Sequence, residues 1–391
     1  MERLLTGLVD FTIEKVVSLR PIRLEVAYNK QTPCPTCGQI EKRIKASFWR
    51  EIKSTPQQGH PVTLLIYCHK YHCKHCGRYY NTRINGVKKW SRSTEPLKQS
   101  VFNVCRRGYT NKDAAFESGV SVATVERFYH QMVVHKIRHQ QTRPCPRIMG
   151  IDEHRFSKKT GFVTTFCNLE KHSVFDVACG RSEAELLPFL SSLRGRHRVK
   201  VVCMDMHAPY RKMIKRWFPN AKIVTDRFHV IKLINYHFAK TCKLIDEENL
   251  AWGRGGLIRM MWTKPESLSA TKRQKLEQYF EQQPAIKNLW IFCQELAELC
   301  RNKGKGPREC KKLVRDLLEK VGMLKESPFR PMRTLGRTIT NWLDEIARMF
   351  RYYRSNGIVE GFHRKMKLIQ RRAYGFRNFE NYRLRVRVLC G

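Results

Sequence analysis

The sequence is short of acidic residues: 34 Asp and Glu stand against 75 Lys and Arg in 391 residues, so the formal net charge is +41. A folded surface with this excess of one sign repels itself, and a polyanion such as nucleic acid relieves the repulsion when it binds. Long hydrophobic runs are also missing. A membrane-spanning helix needs about 20 apolar residues, whereas the longest apolar stretches, such as 62–68, are far shorter. We therefore expect a nucleic-acid-binding protein with no membrane segment.

The N-terminus lacks the apolar core of a secretory signal, because Glu2, Asp10 and Glu14 interrupt it. We accordingly expect a cytoplasmic protein, whose fifteen cysteines remain reduced. A hydrophobic content of 42% is enough for ordinary cores and excludes disorder as the main state. A chain of this length is expected to form two or three domains.

Most of the fifteen cysteines stand singly, but four are grouped in two CxxC motifs, CPTCG and CKHCG: Cys34, Cys37, Cys73 and Cys76. Each motif ends in a glycine that permits a tight turn. Alternating apolar residues at 22–28 and 62–68 predict strands that lead toward the motifs. A structural Zn²⁺ held by four thiolates would replace the core that so small a segment cannot build. Three histidines lie in or near the second motif: His69, His72 and His75. We interpret them as solvated basic residues that face DNA. The alternative is that one of them replaces a cysteine as a zinc ligand.

A helix-turn-helix pattern follows in NKDAAFESGVSVATVERF. Ala115 supplies the small residue where two helices touch, Gly119 the turn, and Val125 the apolar inner face of the second helix. Ser121 is the predicted N-cap of that helix. The residues predicted to face a major groove are Ser121, Val122, Thr124 and Arg127. An ordinary helical hairpin is the alternative.

Strands and helices alternate from residue 147 onward. PRIMGID, GFVTTFCNL and SVFDVAC predict an antiparallel meander, and VKVVCMD and AKIVTD predict two more strands, each preceded by a helical segment. This is the element order of a ribonuclease H-like core. The stretch after it is almost entirely helical in pattern and predicts an all-α insertion.

The predicted fold class is therefore α+β and multidomain. A zinc-binding β module spans 1–92, and a helix-turn-helix domain spans 93–145. The ribonuclease H-like α/β catalytic core begins at 146–238, is interrupted by the all-helical insertion at 239–340, and ends in closing helices at 341–391.

Three acidic residues are the candidate catalytic set: Asp152 in GID, Asp205 in VKVVCMD, and Glu360 in SNGIVEG. We place Asp152 and Asp205 at the ends of neighbouring strands, where their side chains converge. Carboxylates are ligands for two Mg²⁺ or Mn²⁺ ions, about 3.5–4 Å apart, which stabilise the attacking and leaving oxygens of phosphodiester transfer.

The closing helix is predicted to bury one apolar stripe: Ile358, Phe362, Met366, Ile369 and Ala373. Glu360 points away from this stripe. A basic row for gripping phosphates shares the face of Glu360: Arg364, Lys367 and Arg371.

Asp226 and His229 form a further candidate pair in DRFHVIK. The histidine either contacts the scissile phosphate or orients a catalytic carboxylate. The alternative is an N-cap aspartate followed by a buried histidine.

The CxxC motifs, the helix-turn-helix, GIDEHRFSKKTG, VVCMDMHAPYRKMIKRWFPNAKIVTDRFHVIK and SNGIVEGFHRKMKLIQRRAYGFRN resemble the ISL3 family of bacterial insertion-sequence transposases over essentially the whole chain. The resemblance implies that Asp152, Asp205 and Glu360 take the DDE positions. It also implies that the N-terminal modules bind the terminal inverted repeats and that the core cuts these ends and joins them to target DNA. Synapsis of two ends implies at least a homodimer, and membership of this family would imply a bacterial, nucleoid-associated protein. Asp226 and His229 are similar to a DxxH element of related transposases.

Two other classes compete with this interpretation. A tyrosine recombinase would use a motif such as the HxxR at His135 to Arg138, but this motif falls in a linker. A non-catalytic regulator derived from a transposase would bind DNA without cutting it.

Overall fold

The computed structural model describes residues 9–40, 43–141, 143–158, 161–250, 256–352 and 357–391. The chain forms two compact units: Met1–Gln141 with Lys367–Leu389, and Thr142–Met366 with Cys390–Gly391. The finer five-part division made from the sequence stays a prediction. Within the described ranges, no helix is both long and apolar enough to cross a bilayer.

A five-stranded mixed sheet opens the first unit: β1 (Phe11–Leu19), β2 (Ile22–Tyr28), β3 (Ile44–Gln57), β4 (His60–His72) and β5 (Tyr79–Asn81). Its order is β1-β2-β4-β3, with β5 also pairing with β4. Strands β2 and β4 run parallel, and they contain the two strands predicted around the cysteine motifs. Alternate residues of β2 and β4 are completely buried, among them Val26, Leu64 and Ile66, and this buried row is the core of the module.

Three helices follow: α1 (Glu95–Arg106), α2 (Asn111–Ser118) and α3 (Val122–Gln141). A capping box between Thr110 and Asp113 begins α2, and Gly119 ends it with a φ of 62°. The Ser121 hydroxyl accepts a hydrogen bond from the Thr124 N–H at 3.3 Å, so Ser121 caps α3 as predicted. Val125 is fully buried. The predicted pair of helices and its turn are therefore present.

The second unit is built on another five-stranded mixed sheet: β6 (Ile148–Ser157), β7 (Gly161–Asn168), β8 (Ser173–Cys179), β9 (Val201–Met204) and β10 (Lys222–Thr225). The spatial order is β10-β9-β6-β7-β8. Strands β6, β7 and β8 form the predicted antiparallel meander, while β9 runs parallel to β6 and β10 parallel to β9. Every residue of β9 is buried, as its apolar sequence predicts.

Helices supply the rest of this unit: α4 (Glu183–Ser192), α5 (Ala208–Trp217), α6 (Arg227–Ile245), α7 (Gly256–Trp262), α8 (Ala270–Gln282), α9 (Pro284–Arg301), α10 (Pro307–Glu326), α11 (Arg330–Asn341) and α12 (Leu343–Arg351). One hydrophobic cluster runs from Met149 in the sheet through Phe238 and Leu296 to Phe350. The helical segment predicted as an insertion therefore shares a core with the sheet.

Two closing helices end the chain: α13 (Gly357–Arg372) and α14 (Phe379–Cys390). Leu384 and Val388 of α14 pack with Phe102, Val133 and Ile137 from α1 and α3. The C-terminal helix thus completes the core of the helix-turn-helix region.

Candidate active site

Three aspartates lie at the carboxyl ends of the parallel part of the second sheet. The ladder between β6 and β9 pairs Gly150 with Cys203, so Asp152 and Asp205, each two residues further along, are in register. Asp226 follows β10 directly, and its N–H donates to the carbonyl oxygen of the residue before Asp205 at 2.8 Å. Because neighbouring strands lie about 4.8 Å apart, this register gathers all three carboxylates at one edge.

Asp152 does not end its strand, which corrects the prediction. Strand β6 continues to Ser157 because β7 pairs with it beyond the point where β9 stops, and Asp152 lies opposite Thr165. The side chain of Asp152 is 18% exposed, and one of its oxygens accepts a hydrogen bond from the Glu153 N–H at 2.8 Å. The carboxylate is therefore fixed within the sheet rather than carried on a turn.

Among the described residues, the carboxylates of Asp152 and Asp205 have histidines but no Lys or Arg as ion-pair partners. Burial, and then the charge of Asp205, raise the pKa of Asp152 to about 7. The Asp205 Oδ1 atom is buried and has no hydrogen-bond partner among the described residues. A buried carboxylate oxygen without a donor costs free energy that a cation would offset. The donor set thus fits a hard divalent metal ion.

His229, in the first turn of α6, contacts the carboxylates of Asp205 and Asp226. Its Nδ1 atom lies 2.9 Å from Asp205 Oδ2, and its Nε2 atom 4.0 Å from Asp226 Oδ2. Burial alone would lower the pKa of His229, but the hydrogen bond and charge of Asp205 outweigh it, and the net shift is upward. Ligand atoms of Asp205, Asp226 and His229 all lie within 4.8 Å of one another.

The capping alternative for Asp226 and His229 does not describe this geometry. Asp226 occupies the N-cap position of α6, but its side chain makes no capping hydrogen bond. The His229 side chain is 32% exposed and faces Asp205 rather than the core. The pair therefore lies at the candidate site.

His363 on α13 is a site residue that the sequence analysis missed. Its Nδ1 atom lies 3.5 Å from Asp152 Oδ2, and its Nε2 atom lies 3.1 Å from the Thr165 hydroxyl. The stripe predicted for α13 was wrong in its first half, because Val359 and His363 are buried there instead of Ile358 and Phe362. His363 lies four residues after Val359 and so on the same face of the helix. It was missed because the buried stripe was sought among apolar residues only.

Glu360 lies one turn before His363 on the same helix. Its side chain is 51% exposed, and one oxygen accepts a hydrogen bond from Arg364 Nη2 at 2.9 Å. Among the described residues, neither Glu360 nor Asp152 belongs to the groups whose ligand atoms converge. The role of Glu360 as the third catalytic acid stays a prediction.

The four cysteines of the two CxxC motifs form the other convergent group. The Sγ atoms of Cys34 and Cys76 are 3.5 Å apart, as are those of Cys37 and Cys73, and all four lie within 4.8 Å. Four sulfurs bound at about 2.3 Å to a tetrahedral Zn²⁺ are about 3.8 Å apart, so the spacing fits zinc. Gly38 and Gly77 have positive φ angles of 75° and 69° in the two equivalent turns.

The four thiols of this cysteine group affect one another's ionisation. The Cys37 N–H lowers the pKa of Cys34 to about 6. The Gln39 N–H lowers that of Cys37, but burial and the neighbouring sulfurs outweigh it and raise the pKa to about 12. Four thiolates at this distance repel one another unless a metal ion lies between them. None of the three nearby histidines joins the group: His69, His72 and His75.

The predicted DNA-contacting residues are largely accessible. Ser121, Val122 and Arg127 are exposed at the start of α3, and Thr124 is half-buried. Along α13, the basic row of Arg364, Lys367 and Arg371 is exposed as well. These side chains are accessible to a ligand, although Arg364 is paired with Glu360.

The burial of Asp152 gives a pH-dependent prediction for the metal-free protein. Because the folded-state pKa of about 7 exceeds the ordinary value of 3.8, the folded state loses stability as the pH rises between these values. The Asp152→Asn variant should therefore have a higher thermal midpoint than the wild type at pH 8, and the difference should shrink as the pH falls and vanish only below 3.8, the ordinary pKa of Asp. Calorimetry without added Mg²⁺ or Mn²⁺ measures it. A difference that is constant with pH would contradict the assignment.

A cluster of aspartates at the carboxyl ends of parallel strands, in a chain of high positive charge, is typical of enzymes that process nucleic acids with divalent metal ions. The chain belongs to the ISL3 family of transposases, whose family model, described as Transposase, matches residues 149–386. The resemblance stated from the sequence is confirmed.

The chain is also similar to a transposase for insertion sequence element IS1001 from Bordetella parapertussis. The two are 21% identical over 363 residues, which cover 91% of this chain and 88% of that protein. The match to the family contains the aspartate cluster and α13, whereas the cysteine group and the helix-turn-helix lie outside it.

Proposed function

We propose that this transposase binds the terminal inverted repeats of an insertion sequence and performs metal-dependent strand cleavage and strand transfer. The core that carries this chemistry is ribonuclease H-like. Strand order β10-β9-β6-β7-β8, with three parallel strands and a two-strand antiparallel extension, supports that assignment.

One observation carries the proposal: Asp152 and Asp205 lie next to each other, their side chains are only 18% and 25% exposed, and neither is paired with Lys or Arg among the described residues. We assign Asp152, Asp205 and Glu360 as ligands of two Mg²⁺ or Mn²⁺ ions, with Asp226 and His229 as accessory residues. When bound, these ions stabilise the attacking and leaving oxygens of the displacement.

The chain's own contribution is to hold these carboxylates in place. His229 donates from Nδ1 to Asp205 and so fixes that side chain. Residues that hydrogen-bond to a metal ligand without binding the metal commonly orient it in this way. His363 contacts Asp152 from α13 and is itself held by Thr165. Glu360 lies one turn before His363 on the same helix, and this position supports its assignment as the third acid.

DNA binding is assigned to the first unit and to α13. The candidate contacts are Ser121, Val122, Thr124 and Arg127 in a major groove, with Arg364, Lys367 and Arg371 on phosphates. A structural Zn²⁺ at Cys34, Cys37, Cys73 and Cys76 would stabilise the β module of the first unit. Two DNA ends must be held together for transfer, so the working form is at least a homodimer.

Cleavage of a labelled inverted-repeat end tests the proposal. A transposase of this type nicks the end only with Mg²⁺ or Mn²⁺ present and leaves no covalent protein–DNA bond. A regulator derived from a transposase binds the same end without cutting it. Tight binding with no nicking under either metal would favour the regulator.

The identity of the third acid gives a paired prediction. Glu360→Gln should reduce nicking by at least about a hundredfold, because it removes a ligand, whereas Asp226→Asn should reduce it by about 10- to 100-fold, as expected for an outer partner. Both variants are compared by single-turnover nicking at equal DNA occupancy. If Asp226→Asn abolishes nicking and Glu360→Gln leaves it intact, Asp226 is the third ligand and the assignment of Glu360 is wrong.

A further inference from the structure

A groove in the first unit combines positive charge with exposed aromatic rings. Its volume is about 1530 Å³, and seven Lys or Arg side chains and two Glu side chains line it. Sites for drug-sized molecules measure about 300–1,000 Å³, so this groove suits a longer ligand. Both glutamates are already paired: Glu51 with Arg23, and Glu95 with Lys98, each at 2.7 Å. The groove therefore presents an excess of cations to a polyanion.

Two solvent-exposed tryptophans line this groove. The side chain of Trp90 is 80% exposed and that of Trp49 is 54% exposed, and both rings line the groove. Trp49 contacts Tyr67 on the neighbouring strand, with ring centroids 4.9 Å apart, while Lys89 Nζ lies 5.4 Å from the Trp90 ring. Since Trp buries about 150–250 Å² when it is covered, rings this open are available for a flat partner.

The backbone next to Trp90 is fixed to the sheet. The φ angle of Trp90 is 64°, a left-handed conformation that is uncommon for a bulky residue. The segment that follows is hydrogen-bonded to β3: the Lys53 N–H donates to the Arg92 carbonyl at 2.9 Å, and the Thr94 N–H donates to the Lys53 carbonyl at 3.0 Å. The fold thus anchors the backbone that carries the exposed ring.

Cations beside open aromatic rings match an unpaired nucleic-acid strand better than a duplex. In a duplex each base is stacked between its neighbours, so it offers phosphates and base edges but no base face. An unpaired strand offers both phosphates and base faces, and aromatic rings in a basic groove are the usual means of binding it. We propose that this groove binds an unpaired segment of DNA at the end of the element, with its bases stacked on Trp90 and Trp49.

This inference rests on the proposed function, because it takes the element's DNA as the ligand. Thr124 and Arg127, proposed above to contact duplex DNA, line the same groove. The unpaired segment would therefore adjoin the duplex that these residues hold. The groove belongs to a DNA-binding unit and contains none of the candidate catalytic acids.

The test uses the full-length zinc-loaded protein without added Mg²⁺ or Mn²⁺. Fluorescence anisotropy measures binding to a labelled thymidine strand of about 16 nucleotides, the upper end of known single-strand site sizes, and to a fully paired duplex end. Trp90→Ala should weaken single-strand binding by about 5- to 100-fold, the loss expected for one stacked base, and Trp90→Phe should largely restore it. Trp49→Ala should act in the same direction. Trp262→Ala, which removes an exposed ring from the other unit, is the matched control.

A second readout reports stacking directly. A 2-aminopurine base in the strand should lose fluorescence on binding to the wild type and should keep it with Trp90→Ala. Zinc content and thermal midpoint verify that each variant is folded. Equal losses for duplex and single strand would make Trp90 a duplex contact and overturn the proposal, as would no loss for either. Because these measurements need no cleavage, they are independent of the nicking assay that decides the proposed function.

Discussion

The Asp205→Asn variant is expected to lose nicking of a labelled element end by at least about a thousandfold, because the several kcal/mol that bound metal ions contribute to the transition state are lost. Asp205 is the residue to change first. It lies between Asp152 and Asp226 in the strand register, accepts a hydrogen bond from His229, and carries the buried oxygen without a partner. Asn preserves the shape of the side chain while it removes the charge.

The same variant should bind the DNA end as tightly as the wild type, since the proposed DNA contacts lie elsewhere. Gel-shift titration and single-turnover nicking, performed on one preparation, separate binding from chemistry. Asp344→Asn is the matched control, because its carboxylate is 77% exposed in the same unit. Mn²⁺ titration calorimetry should show weaker metal binding for Asp205→Asn alone. Nicking at the wild-type rate by Asp205→Asn would remove Asp205 from the catalytic set.

The aspartates of the core could be predicted from the sequence because buried parallel strands have a recognisable apolar pattern. VKVVCMD is buried on both faces and reads as a continuous apolar run, so an acid at its end is conspicuous. The register between β6 and β9, which aligns Asp152 with Asp205, is a long-range pairing. No local pattern specifies it. Convergence could be predicted from strand ends, but the exact neighbours of each carboxylate could not.

Other features could not be predicted because their sequences show a weak or mixed pattern. Strand β3 is 14 residues long, but its first half is mostly exposed, so apolar and polar residues do not alternate there. His363 is buried on α13 because it meets Asp152 and Thr165, which is a tertiary reason. Burial of a polar side chain by its hydrogen-bond partners cannot be read from hydrophobic periodicity.

The second large effect is expected at the cysteine group. Cys73→Ser should reduce the zinc content of the purified protein from one ion per chain to none, because Ser is a poor ligand for Zn²⁺ and the three remaining thiolates leave the tetrahedral site incomplete. Cys73 is buried, and its backbone N–H donates to the Arg78 carbonyl at 2.9 Å in the second turn. Serine keeps this backbone hydrogen bond, so the variant removes only the sulfur ligand.

Loss of zinc should unfold the ends of β4 and β5, since little else covers them. The apolar cluster there consists of the cysteines themselves with Tyr71 and Tyr80. Metal binding and folding are coupled at such small sites, so limited proteolysis should cut Cys73→Ser near the motifs while leaving the second unit intact. Cys179→Ser, which changes an exposed cysteine outside the group, should retain zinc and resist the protease. If emission spectroscopy finds stoichiometric zinc in Cys73→Ser, a nearby histidine such as His72 or His75 has taken the fourth position.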